Sequence, residues 1–224
     1  ELERMVGGIC RGVAAIVARG DHPAAVVNSD ALEPFLGPPR FESEHALATR
    51  TPGVSTGLAY TPFGGEIIFI EAALMPGRGS FMLTGQIGDV LRESAQAAMT
   101  LVRSRAECWR LAPERFTDAD VHIHIPAGGV PKDGPSAGVA MLTSLVSLIS
   151  GKPADPTVAM TGEITLRGQV LPIGGVKAKV LAAHRAGIRT VLLPRRNESD
   201  LSEVPSDVRA ELNFKLMETV DDVL

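Results

Sequence analysis

Several things are scarce in this chain, and each scarcity removes a class of function. Of its 224 residues two are cysteines, Cys10 and Cys108, and neither stands in a C-x-x-C pair or in a Cys/His cluster with zinc spacing. A disulfide framework and a zinc site are set aside, and the two thiols read as free in a reducing compartment. Aromatic residues are few: seven Phe, with Tyr60 and Trp109 alone of their kinds. Single-strand nucleic-acid binders stack bases on such rings, so nucleic acid is not supported as a partner. Neither sign of charge dominates. The 22 Lys and Arg face 26 Asp and Glu, a net −4, which gives no global pull toward nucleic acid or acidic lipid. Long apolar runs are missing as well. The longest, Val139 to Ile149, is interrupted by Thr143, Ser144 and Ser147 and is too short to span a bilayer. No signal peptide is visible. The chain opens on Glu1 rather than Met, so a fragment of a longer protein is expected.

What is present suffices for a core. The hydrophobic fraction is 45%, and the length suits one large domain or one domain with an appendage. Residues 1 to 19 are predicted as a helix, with Met5, Ile9, Val13, Ile16 and Val17 at helical spacing and Gly20 to Pro23 as breakers. Asn28 or Ser29 is placed to cap a short helix from Asp30 to Leu36. Residues 37 to 53 read as a linker, with a domain boundary near Thr51. Strands follow at Val54 to Tyr60 and Glu66 to Met75, joined as a hairpin through Thr61-Pro62-Phe63-Gly64-Gly65, and at Phe81 to Thr84. A long helix is expected from Asp89 to Cys108, with Val90, Leu91, Ala95, Ala98, Leu101 and Val102 facing inward. Val121 to Ile125 alternates histidine with apolar residues, as a half-buried strand does. A loop from Pro126 to Pro135 feeds a helix from Ser136 to Ser150 that is apolar nearly all round and so belongs in the core. Strands at Val158 to Thr161, 163 to 171 (paired about Arg167-Gly168), Thr190 to Leu193 and Phe214 to Met217 surround a helix from Val176 to Ala186. Hairpins with interspersed helices favour an α+β fold over a doubly wound sheet.

Three chemistries compete for the loop ahead of Ser136. Gly129 to Ser136 nearly fits a phosphate-binding loop, but Pro135 stands where the phosphate lysine belongs and lacks an N–H for the cradle. Gly134-Pro135-Ser136-Ala137-Gly138 fits the G-x-S-x-G elbow, with Asp155 and His184 available to complete a triad. The elbow needs a strand running straight into its first glycine, and ten loop residues intervene. The third reading pairs Ser136 with a lysine base. A free lysine has a pKa of about 10.4, so at neutral pH about one amine in a thousand is neutral. Lowering the pKa by about three units costs roughly 4 kcal/mol, which burial can impose. Lys179 shares a helix stripe with the small residues Ala182, Ala183 and Ala186. Lys177, about 200° round the helix, shares its stripe with Val180, Leu181 and His184. Periodicity leans to Lys179 without deciding. Taken singly, Ser136 also suits a plain helix cap and Lys179 a solvated surface lysine.

Three runs go further: Pro131-Lys-Asp-Gly-Pro-Ser-Ala-Gly138, Thr161-Gly-Glu-Ile-Thr-Leu-Arg-Gly-Gln-Val-Leu-Pro-Ile-Gly-Gly175, and Lys177-Ala-Lys-Val-Leu-Ala-Ala-His-Arg185. They closely resemble the proteolytic domain of the Lon ATP-dependent proteases, in the form of the A-type branch. The resemblance runs from about Thr51 to the end. It implies an α+β fold of the ribosomal protein S5 domain 2-like type and a serine endopeptidase acting on unfolded or misfolded polypeptides. It implies Ser136 as nucleophile and Lys179 as general base, with supporting roles for Thr161, near the amine, and for Asp133 and Gly134 in the active-site loop. Ala178 stands where the family often has Glu. Tyr60 stands where an aromatic is common near the substrate groove. Residues 1 to 26 resemble the last helix of an AAA+ small subdomain and 27 to 50 a connector, with 51 to 224 the protease domain. The nucleotide-binding part is absent, so no cofactor is expected in this chain, and ATP and magnesium belong to the missing module. A cytoplasmic homo-hexamer without membrane contact is implied. A non-catalytic ring-forming or docking domain of the same fold is the alternative.

Other features are weighed beside these. His122 and His124 share a strand face, but two histidines without a third ligand make a weak metal site, and no metal is expected. Glu163 reads as a structural acid. Gly64, Gly65 and Glu66 suit either a hairpin turn or an exposed edge on which an extended substrate could pair.

Overall fold

The computed structural model describes residues 2–21, 26–38, 50–61, 64–112, 115, 118–126 and 132–224. The breakers at His22 and Pro23, most of the linker, Pro62 and Phe63 of the hairpin turn, and residues 127–131 of the loop before Ser136 lie outside these. The chain divides into two compact units, Glu1–Ser43 and Glu44–Leu224.

In the first unit, helix α1 (Leu2–Ala18) half-buries Ile9, Val13 and Ile16, while Met5 and Val17 are exposed. Gly12 lets the ring of Phe35 approach: a Cβ there would lie 2.4 Å from Phe35 Cδ1. The expected Asp30–Leu36 helix is two pieces, a 3-10 turn (Ser29–Ala31) and α2 (Glu33–Leu36). Pro34 lacks the N–H that would carry one helix through. Asn28 occupies the cap position without a side-chain cap, and Ser29 Oγ bonds Asp30 instead.

The second unit is built on a seven-stranded sheet. Its strands are β1 (Val54–Thr61), β2 (Gly64–Pro76), β3 (Phe81–Thr84), β4 (Ala119–His124), β5 (Val158–Met160), β8 (Thr190–Pro194) and β9 (Asn213–Met217), ordered β3-β4-β2-β1-β5-β8-β9. β6 (Glu163–Ile164) and β7 (Val170–Leu171) form a separate antiparallel pair. β1 and β2 make the expected hairpin, Thr61 opposite Gly64. The α+β architecture holds, with more parallel pairing than the hairpins suggest: β3–β4, β1–β5, β5–β8 and β8–β9 all run parallel.

Alternation along β2 divides the core. Ile68, Ile70 and Ala72 join a cluster with α3 (Asp89–Ser104) and α4 (Gly138–Ser150). Ile67 and Phe69 join another with α5 (Val176–Arg185) and α6 (Ser206–Glu211). Successive strand residues point to opposite faces, so helices cover both. Helix α3 ends at Ser104, short of the expected Cys108. Ser104 Oγ bonds back to the Leu101 carbonyl, and the chain turns through Arg110 at φ 55°. Val90, expected inside, is exposed; the other five expected inner residues are buried. α4 is buried almost all round, as its composition requires.

Candidate active site

The residues ahead of α4 are held from several sides. Gly134, at φ 120°, and Pro135 open a 3-10 turn (Pro135–Ala137) with Ser136 at its centre. Lys132 donates its N–H to the Gln86 carbonyl (3.1 Å) and accepts from Gly88 N–H (2.8 Å). Asp133 Oδ1 accepts from Leu91 N–H (2.9 Å) and Gly134 N–H (2.8 Å). Gly88, at the N-cap of α3, has no side chain to satisfy that first turn, and the carboxylate of Asp133 does so from 42 positions away. A Cβ on Gly88 would lie 2.3 Å from the Asp133 carboxyl carbon. Ser94 Oγ donates to the Pro135 carbonyl (3.3 Å), and Gly162 N–H donates to the Ser136 carbonyl (2.8 Å). Among the described residues, Ser136 Oγ itself makes no hydrogen bond.

The amine comes from α5. Gly175, left-handed at φ 72°, starts the helix. The structure separates the two lysines: Lys177 is exposed, and Lys179 is 2% exposed. Burial lowers the Lys179 pKa to about 8. Its Nζ donates to Thr161 Oγ1 (3.2 Å), and that hydroxyl donates onward to the Ser136 carbonyl (3.1 Å). Thr161 is fully buried just past β5, so one hydroxyl joins the lysine to the serine turn.

Ser136 and Lys179 line one cavity of about 620 Å³, together with Asp133, Gly134, Tyr60 and Glu66. Tyr60 is largely exposed and lies against Gly175. Lys132 lines it too; burial holds its pKa below the ordinary lysine value, offset only in part by Glu66, so opposite charges share the rim. Gly65 serves a packing need. A Cβ there would fall 2.0 Å from the Ala178 carbonyl oxygen, and its own carbonyl accepts from Arg185 (3.0 Å). Gly64, at φ 126°, has open space around its Cα.

The elbow's partners lie elsewhere. Asp155 bonds Thr157 and lines a second cavity; His184 pairs with Glu211 at 2.8 Å. Neither lines the Ser136 cavity. His122 and His124 both bond Thr84 Oγ1, at 2.8 and 2.7 Å, also away from it. Among the described residues no group of three or more His, Cys, Asp or Glu could hold a metal ion. Sequence reasoning missed Ser94, the charged rim and Asn197, a buried amide bonded to Ile173 on the cavity wall. Asn197 sits in a charged stretch that carries no signal of burial.

A nucleophile-type hydroxyl and a buried amine of lowered pKa on one cavity are the components of a serine hydrolase with a lysine base. Residues 26–224 match the family described as "Lon protease (S16) C-terminal proteolytic domain". The Lon protease of Paraburkholderia phytofirmans is 53% identical over 223 residues, covering 100% of this chain and 28% of that protein. The Lon proteases of Desulfosudis oleivorans and Roseiflexus castenholzii are 51% and 52% identical, over 99% and 100% of this chain and 27% and 28% of their own lengths. This chain belongs to the family of Lon protease C-terminal proteolytic domains, and it spans little more than a quarter of the length of these relatives. No helix among the described residues is long and apolar enough to cross a membrane.

Proposed function

We propose that this chain hydrolyses peptide bonds through an acyl-enzyme, with Ser136 as nucleophile and Lys179 as general base. The supporting observation is the buried amine. With a pKa of about 8, about one Lys179 in ten is neutral at pH 7, far more than for an ordinary lysine. Ser136 Oγ attacks the scissile carbonyl as Nζ takes its proton. The ammonium so formed protonates the departing amine, and water repeats the cycle on the ester. The Ser136 N–H, in the turn leading into α4, serves as an oxyanion donor. Thr161 orients the amine, and Asp133 and Gly134 hold the loop. Tyr60 and Glu66 contact substrate at the cleft. Gly64 and Gly65 shape the hairpin tip beside it.

Family membership extends the proposal to the full-length protein. There the domain (51–224) follows a connector (27–50) and the last helix of an ATPase small subdomain (1–26). The preceding module binds ATP and magnesium and feeds unfolded or misfolded proteins to a cytoplasmic homo-hexamer. A peptide-cleavage assay tests the chemistry: Ser136→Ala and Lys179→Met each lose turnover, and unchanged turnover in either refutes the pair.

A further inference from the structure

The cleft has a wall made of backbone with no strand to hold it. β7 ends at Leu171 and α5 begins at Val176, and between them Ile173 lines the cavity. Both polar groups of its main chain are taken by one side chain. Ile173 N–H donates to Asn197 Oδ1 (2.9 Å), and Asn197 Nδ2 donates to the Ile173 carbonyl (2.8 Å). The amide thus pairs with Ile173 as a neighbouring strand would. The second Nδ2 proton goes to Asp200 Oδ2 (2.6 Å), so both donors are engaged. This pattern admits one orientation of the amide, since a flipped group would set oxygen against a carbonyl and a carboxylate. Asn197 is 4% exposed and belongs to the 3-10 run Arg195–Glu203, 24 positions from Ile173. Two residues after Ile173, Gly175 adopts its left-handed turn, packs against Tyr60 and accepts the Lys179 N–H (3.0 Å).

We infer that Asn197 is a positioning residue for substrate: through the Ile173 main chain it fixes the cleft wall that receives the side chain beside the scissile bond. This rests on the peptide hydrolysis proposed above. Among the described residues the Asn197 side chain bonds Ile173 and Asp200 alone, and neither carries the reacting proton. Its loss therefore moves substrate binding and side-chain preference while leaving the proton chemistry of Lys179 in place. A merely structural residue behaves otherwise: its loss lowers the folded fraction, and hence the apparent kcat, at constant KM.

Asn197→Asp is the informative change. It keeps the shape of the side chain but turns two donors into an oxygen facing the Ile173 carbonyl and the Asp200 carboxylate. Short peptides differing only in the residue before the cleavage point are the probes. The expected result is a KM raised about tenfold or more, a reordered preference among the peptides, and an unshifted pH–rate midpoint. The double variant Asn197→Asp/Asp200→Asn, which restores a donor between the two positions, recovers part of the KM. The same peptides, fluorescently labelled, are titrated by anisotropy against Ser136→Ala with and without Asn197→Asp, so that affinity is read without turnover. Unchanged KM, affinity and preference overturn the inference. Should Asn197→Asp fail to fold, Asp200→Ala loosens the amide and leaves both Ile173 bonds. A KM two- to fivefold higher then supports the inference, and an unchanged KM overturns it. Ser136→Ala run alone keeps the two readings apart. Full turnover there defeats the proposed hydrolysis, whereas a dead Ser136→Ala beside an unaffected Asn197→Asp defeats only the role of Asn197.

Discussion

α4 and α5 both bring a side chain to the cleft, α4 through the turn ahead of it. Ten of the thirteen residues of α4 are buried and none of the ten is ionisable; α5 buries five of ten, and one is Lys179. The buried hydroxyls of α4 are all engaged, as with Thr143 on Val139 O and Ser144 on Met141 O. α4 thus adds to stability along nearly its whole length. α5 gives some up, since among the described residues an ammonium taken from water is held by a single neutral hydroxyl. The contrast separates a helix that anchors the site from one that tunes it.

The sharpest way to break the comparison is to remove the two groups proposed to react. Ser136→Ala and Lys179→Met each lower peptide turnover by about 10³-fold or more. Their stabilities part company. Lys179→Met raises resistance to denaturant at pH 7 by up to about 3 kcal/mol, because a shift from 10.5 to about 8 is burial working against the charged form. Ser136→Ala changes stability little. Chemical denaturation of both variants beside a turnover assay reads the difference.

Next in size is the anchor. Leu145→Ala, at a fully buried position of α4, costs about 2–5 kcal/mol of unfolding free energy by denaturant titration. Turnover per folded molecule follows only so far as the serine turn moves.

Acidity probes α5 without mutation. Turnover rises roughly fifty-fold between pH 6 and pH 8 and levels off above, following the neutral fraction of Lys179. Stability has its own sign. The folded pKa lies below the unfolded one, so between about 8 and 10.5 the unfolded chain holds more protons. The Lys179 contribution is complete above the unfolded value and is lost as pH falls through about 8. In Lys179→Met that part of the pH dependence disappears.

The smallest effect sharpens the helix itself. Lys177→Ala, at the exposed position two residues earlier, changes stability by less than about 0.5 kcal/mol and leaves turnover unchanged in the same assays.

The hairpin, the serine turn and the long apolar helix were legible because each is written locally, in alternation, in Gly-Pro punctuation or in unbroken apolar composition. The choice between Lys177 and Lys179 was only half legible. Both stripes carry small or apolar residues, and which one turns inward depends on Gly65 and Thr161, remote in sequence. The parallel pairing of β1, β5, β8 and β9 joins strands far apart in the chain and leaves no local mark. Asn197 was hidden for a related reason. Arg195, Arg196 and Glu198 around it are exposed, and the main chain it bonds, that of Ile173, lies 24 positions away. Val90 shows the opposite error, an apolar residue at helical spacing that the fold leaves in water.

The missing side chain at Gly65 has a mechanical consequence. Bare backbone of the hairpin rests on the helix carbonyl one residue before the amine, with the Arg185 bond closing the joint from the other side. A methyl group there would have to push the helix backbone aside, so the residue before Lys179 keeps its place only while position 65 carries no side chain.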